Sequence, residues 1–163
     1  MAGKFSSTLI KFLASGLGLG YLPKAPGTWG TLLGIPLAYY LHFKGPVPYM
    51  FTTIVFTGFA VFISELATRI YGVDDCQLIV IDEIAGYLVT MAWLPATWQG
   101  LLAGFVIFRI LDAWKPGPIG YIDRKVKGGL GVVTDDVAAG IVGNILLQVV
   151  YINTSWLGAQ LPA

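Results

Sequence analysis

At 163 residues the chain has room for a single domain. It is 56% hydrophobic and 12% charged, with a mean hydropathy of +0.74; soluble globular domains carry roughly a quarter charged residues, so this is the composition of a small polytopic membrane protein. A net charge of +1 gives no electrostatic case for a nucleic-acid partner, and the single cysteine, Cys76, excludes an internal disulfide and a cysteine-based metal cluster.

Taken in order, Phe5 to Leu13 is weakly amphipathic, and Lys4 and Lys11 suit a helix lying on a membrane surface. No cleavable leader is expected, because no proper apolar core precedes a small-residue cleavage site. Pro23 to Thr31 is a turn-rich entry to a helix. Thr28 to His42 is the first spanning candidate, short for the ~20 residues a bilayer asks, with Pro36 expected to kink it. Val47 to Ile63 is a clean apolar run that ends in Glu65 and Arg69, and a polar link with Asp74 and Asp75 follows. Leu78 to Leu94 is apolar except for Asp82 and Glu83. Gln99 to Leu111 is the fourth apolar segment and Val137 to Ile152 the fifth, before an interfacial tail with Trp156 and Gly158. The expected fold is therefore all-α: one polytopic domain over 1–163, with four to five hydrophobic helices and an N-terminal interfacial helix. No oligomeric state is indicated.

Charge is concentrated between the last two apolar segments. Phe105 to Asp136 holds four of the nine carboxylates (Asp112, Asp123, Asp135, Asp136) and five of the ten basic residues (Arg109, Lys115, Arg124, Lys125, Lys127). Alternating the segments places every Lys and Arg except Lys44 on one side, which the positive-inside rule makes the cytoplasm. At ~1.5 Å rise per residue, Asp82 lies about 17 Å from Trp93 and Asp112 about 20 Å from Gln99, while Asp136 is read as opening the fifth helix. These stations share one depth, near the cytoplasmic headgroups. A faint repeat accompanies them: Asp82 stands four residues before Gly86, and Asp136 four before Gly140. Residues at that spacing share a helix face, and the glycine admits a close neighbour.

Charges at bilayer depth are costly and mark functional sites. An ion pair with Arg109 would explain Asp82 or Glu83 structurally, but acids outnumber nearby cations. Asp82, Glu83, Asp112, Asp135 and Asp136 face Arg109 and Lys115. That excess calls for a cation, and with no Cys/His set its ligands are oxygens, which suits Mg²⁺ or Mn²⁺. A metal flanked by Arg and Lys describes a phosphate-handling site in which Arg109, Lys115 and Arg124 hold the phosphate. Gly27 and Thr28, at a helix N-terminus on the same side, offer backbone N–H groups to an anion or serve as an ordinary cap. Cys76 is read as packing and His42 as interfacial. A Cys or His phosphoenzyme lacks its parts, which leaves attack by an activated water or an acyl-phosphate on one Asp.

Pro26-Gly27-Thr28-Trp29-Gly30-Thr31, Ile81-Asp82-Glu83-Ile84-Ala85-Gly86, Phe108-Arg109-Ile110-Leu111-Asp112-Ala113-Trp114-Lys115-Pro116-Gly117-Pro118-Ile119, Asp123-Arg124 and the run from Gly129 to Gly140 resemble the bacterial phosphatidylglycerophosphatase A family, over residues from about 16 to 150. The resemblance implies an all-helical, Mg²⁺-dependent inner-membrane enzyme. It would hydrolyse the lipid phosphatidylglycerophosphate to phosphatidylglycerol and phosphate.

The resulting expectation is a multi-pass protein of the bacterial cytoplasmic membrane with its site facing the cytoplasm. Asp82, Asp112 and Asp136 are assigned to Mg²⁺, Glu83 or Asp135 to orienting the water, and Arg109, Lys115, Arg124, Gly27 and Thr28 to the phosphate. Two competing readings are a small cation-coupled transporter using the buried acids as a relay, and a phosphatidyltransferase, whose different Asp/Gly pattern is absent. The relay reading leaves the Arg and Lys beside the acids unexplained.

Overall fold

The computed structural model describes residues 2–73 and 76–158, without the side chains of 2–5. The polar link at Asp74 and Asp75, the Lys4 side chain and the tail past Gly158 lie outside the described residues. The described residues form seven α-helices and no strand: α1 (Ala2–Ala14), α2 (Pro26–His42), α3 (Pro46–Tyr71), α4 (Ile81–Thr90), α5 (Trp98–Trp114), α6 (Pro118–Lys125) and α7 (Gly128–Asn153), with a 3-10 turn at Leu19–Tyr21. The all-helical expectation holds.

Side chains are distributed as in a bilayer protein. On α3, Val47, Phe51, Ile54 and Phe62 are 61–77% exposed, while Ala60, Ser64 and Ala67 are fully buried. On α7, Ile145, Val149 and Ile152 point outward and Gly131, Gly140 and Gly143 inward. Apolar outside and small inside is the arrangement expected when lipid replaces water and helices pack by close backbone approach. Two helices, α3 and α7, are long and apolar enough to cross a membrane, at 26 residues each.

The segment from Leu78 to Leu94 is not a full span. Its helix, α4, has 10 residues, about 15 Å of rise, and 8 of them are buried. It sits in the centre, packed on α2, α3, α5 and α7. A helix that ends inside a protein in lipid must satisfy its last carbonyls internally. Tyr49 of α3 donates to Leu88 O at 2.8 Å, and Asn144 Nδ2 of α7 donates to Thr90 O and Ala92 O at 2.9 and 2.8 Å. Gln148 adds a bond to Ala92 O.

Two further boundaries differ from the sequence reading. α2 starts at Pro26 rather than Thr28 and carries Pro36 within it. α7 starts at Gly128, so Asp136 lies two turns inside it rather than at its opening. Gly128, Gly129 and Gly131 form its first turn, where a side chain at Gly129 would strike α3, its Cβ 2.1 Å from Glu65 N. The C-terminal tail docks, with Leu157 buried and its carbonyl accepting from Thr97.

Candidate active site

The helices bring the acidic residues to one end of the bundle. A cleft of about 540 Å³ is lined there by the N-termini of α2 and α4, the C-terminus of α5, α6 and the first turns of α7. Its walls include Gly27, Asp82, Glu83, Arg109, Asp112, Lys115, Asp123, Arg124, Lys127, Asp135 and Asp136. Of the residues assigned from sequence, all but Thr28 line it. Thr28 N–H returns to Ala25 O at 2.9 Å and Pro26 has no N–H, which reduces the expected anion cradle to Gly27.

The α4–α7 crossing sets the geometry. A Cβ on Gly86 would lie 2.8 Å from Asp136 O, and one on Gly140 would lie 2.5 Å from Gly86 O. The two glycines of the Asp-to-Gly repeat are thus the point where the helix backbones touch, and each Asp stands one turn before that point. Gly27 plays a similar part on α2, where a Cβ would meet Glu83 Oε1 at 2.0 Å and Arg109 Nη1 at 3.0 Å. With glycine there, α2 comes up against Glu83 and Arg109 without displacing either side chain.

The carboxylates fall into two groups. Asp82, Glu83 and Asp136 each present an oxygen within 4.8 Å of the others. Like charges at that spacing repel by about 3–4 kcal/mol per pair at an effective dielectric near 20. Arg109 is the one cation that reaches them among the described residues, at 3.9 Å from Glu83. It is committed more closely to Asp112, at 2.7 Å. Asp112 therefore stands with Arg109 rather than in the tight trio, and Glu83 takes its place there.

The second group is paired. Lys115 Nζ lies 2.6 Å from Asp123 Oδ1 and also bonds Asp135 Oδ2. Burial pulls the Lys115 pKa down, but its hydrogen bonds to Asp123 and Asp135 outweigh this and hold it above the usual lysine range. The same bond holds Asp123 below the usual carboxylate range. Lys115 reaches both acids from a left-handed turn (φ 46) that closes α5 and sends the chain into α6. Arg109 and Lys115 are thus engaged by protein carboxylates. Arg124 and Lys127, both exposed in the cleft, make no ion pair among the described residues.

Four buried carboxylate oxygens in the cleft have no hydrogen-bond partner: Asp82 Oδ1, Glu83 Oε2, Asp135 Oδ1 and Asp136 Oδ2. Buried acceptors are ordinarily satisfied. A cluster left open, acid-rich and oxygen-only is the donor set that fits a hard divalent cation.

The sequence profile described as Phosphatidylglycerophosphatase A matches residues 12–151. The chain belongs to that family. It is 41% identical over 145 residues to "Phosphatidylglycerophosphatase A" of Escherichia coli (strain K12), covering 88% of this chain and 83% of the relative. It is 38% identical over 143 residues to the protein of the same name from Haemophilus influenzae, covering 85% and 86%. A Bacteroides thetaiotaomicron protein named "Putative phosphatidylinositol-3-phosphatase" is 32% identical over 155 residues, covering 90% and 96%. No solved structure matches. The matched span runs from within α1 almost to the end of α7 and so contains every wall of the cleft, and the family resemblance read from the ordered motifs is borne out.

Sequence reasoning passed over three residues that the structure makes prominent. Asp123 was visible in its motif but had no assigned part; it is a partner of Lys115. Lys127 was counted only as a charge; it lines the cleft. Glu65, read as the polar end of an apolar run, accepts from Gly129 N–H at 2.8 Å and anchors the start of α7. Nothing in the local pattern signals that contact, which spans 64 residues.

Proposed function

We propose that the chain is a Mg²⁺-dependent phosphatase that hydrolyses phosphatidylglycerophosphate to phosphatidylglycerol and phosphate. The observation that carries the metal half is the trio Asp82, Glu83 and Asp136 with its partnerless buried oxygens. Family membership supports the substrate half. Asp82, Glu83 and Asp136 would hold the ion, with Asp112 oriented beside them by Arg109. Bound there, a divalent ion supplies Lewis-acid polarisation of a phosphoryl oxygen and acidifies a water.

The chain's own residues do the rest. Arg124 and Lys127 meet the headgroup anions, since neither is consumed by a protein carboxylate among the described residues. Asp135 accepts the proton of the attacking water on Oδ1, its other oxygen being fixed by Lys115. The α4–α7 crossing keeps acceptor and ion-binding oxygens on one rigid frame, so little reorganisation accompanies the reaction.

The cleft's position supports a multi-pass protein with its site at the cytoplasmic face. The basic residues gather at the cleft end, while the opposite end is lined by His42, Trp93, Pro95 and Tyr151. The transporter reading gains nothing from the relatives. A relay also needs acids across the bilayer, and the groove at the far end has none.

The test is phosphate release by detergent-purified protein. Phosphatidylglycerophosphate should be cleaved with Mg²⁺, not after EDTA, and again on Mg²⁺ addition. Phosphatidylinositol 3-phosphate should be the poorer substrate. No release by folded protein would refute the proposal, and release indifferent to EDTA would remove its metal half.

A further inference from the structure

The first turn of α7 is built from the residue least suited to it. Gly128, Gly129 and Gly131 occupy that turn, and the preceding Lys127 supplies no side-chain cap. Glycine is the poorest helix former after proline. Close neighbours require it: a Cβ on Gly129 would lie 2.1 Å from Glu65 N of α3, and one on Gly131 would lie 2.3 Å from the carbonyl oxygen of Val126 in the link before α7. A turn so composed frays unless something outside the helix holds it.

Glu65 is that support. Its Oε2 accepts the Gly129 N–H at 2.8 Å, placing a carboxylate on the positive end of the α7 dipole. Its other oxygen is clamped by Arg69, with Nε at 2.9 Å and Nη2 at 2.8 Å. The cap thus comes from a different helix, 64 residues away in sequence. Asp135 and Asp136 follow one and a half to two turns later, about 10 Å along the axis. Between the cap and the Gly86–Gly140 contact, α7 is held at two points. Together these fix the rotation that sends Asp136 toward Asp82 and Glu83 and Asp135 toward Lys115.

We propose that Glu65, held by Arg69, is a positioning residue for catalysis: by capping α7 from α3 it aims the Asp135–Asp136 pair. Glu65 is not among the residues that line the cleft. This inference rests on the phosphatase reading of that cleft.

The test compares Glu65→Ala, Glu65→Gln and the exposed Arg69→Ala in full-length protein. Two readouts are taken, steady-state kinetics and amide hydrogen exchange. Glu65→Ala should lower kcat by about tenfold with KM little changed, as expected for small misplacement of reacting groups. Exchange at residues 129–133 should speed up about fivefold, the scale of a lost cap, while amides of α4 stay as they were. Glu65→Gln keeps an acceptor for Gly129 N–H and should restore both readouts to near wild type. Arg69→Ala, which frees the cap without removing it, should fall between. Wild-type kcat or unchanged exchange in Glu65→Ala would overturn the inference, as would a Glu65→Gln variant as impaired as Glu65→Ala. Inactive wild-type protein would instead refute the phosphatase reading, and the exchange data would still decide the cap.

Discussion

At one end of α4, Asp82 and Glu83 share a space with Asp136 and leave buried oxygens without partners. At the other end, the carbonyls of Leu88, Thr90 and Ala92 are met by Tyr49, Asn144 and Gln148. Both ends bury polar groups in the same 10-residue helix. The far end is closed because its task is structural, since a helix stopping inside a bilayer protein must have its carbonyls satisfied. The cleft end is left open, and under the proposed function a divalent cation would complete it. Unpartnered carboxylates, rather than buried polarity itself, mark the cleft end; Thr53 and Ser64 of α3 also leave buried hydroxyls without partners, but neither carries charge.

The comparison can be broken at either end. The largest effect is expected from Asp82→Asn, which should reduce turnover about a thousandfold by weakening the ion's hold, a scale set by losing one principal electrostatic contribution. It also removes one of three mutually repelling charges, so thermal unfolding in detergent should occur at the same or a higher temperature. Full activity in this variant would break the trio's assignment, and a large loss of stability would make Asp82 part of the scaffold.

Asn144→Leu should do the reverse. It strips the shared donor from Thr90 O and Ala92 O and should cost about 1–3 kcal/mol, seen as a lower unfolding temperature. Activity per folded molecule should persist. A Leu variant as stable as wild type, or one stable but inactive, would erase the contrast between the ends.

The smallest effect concerns the paired acids inside the cleft. Asp123 is held below its ordinary range, so its tie to Lys115 is present above the usual carboxylate pKa and is lost only as pH falls through the lowered value. Lys115 is held above its ordinary range, so the tie is present below the usual lysine pKa and is lost only as pH rises through the raised value. Limited proteolysis of α6 should therefore be flat between about pH 7 and pH 9. Lys115→Met should speed cleavage equally across that window. A pH-dependent rate in the wild type would show that α6 is not fastened by this pair.

Much of the site was legible in the chain. Acids set into apolar runs stand out because burying them is costly, and the Asp-to-Gly spacing marked the crossing that the structure places at Gly86 and Gly140. The ion partners were not legible. Lys115 pairs with Asp123 and Asp135 because the chain turns through a left-handed residue after α5, and lysine announces no such conformation. The start of α7 was missed for the opposite reason, since three glycines in four residues signal a loop wherever no neighbouring helix demands them. Asn144 and Gln148 carry no local signal of their part, which follows only from α4 ending short of a full span.

The sequence by itself determined the class of the molecule, the end at which its charges gather and the residue types available for chemistry, because composition, hydropathy and spacing are local properties. Only the tertiary structure decided how those residues are divided. It set Glu83 rather than Asp112 with Asp82 and Asp136, engaged Arg109 and Lys115 with protein carboxylates, and left Arg124 and Lys127 facing the cleft. The reason is physical: which charges neutralise one another depends on distances of a few ångströms, and those are set where helices cross.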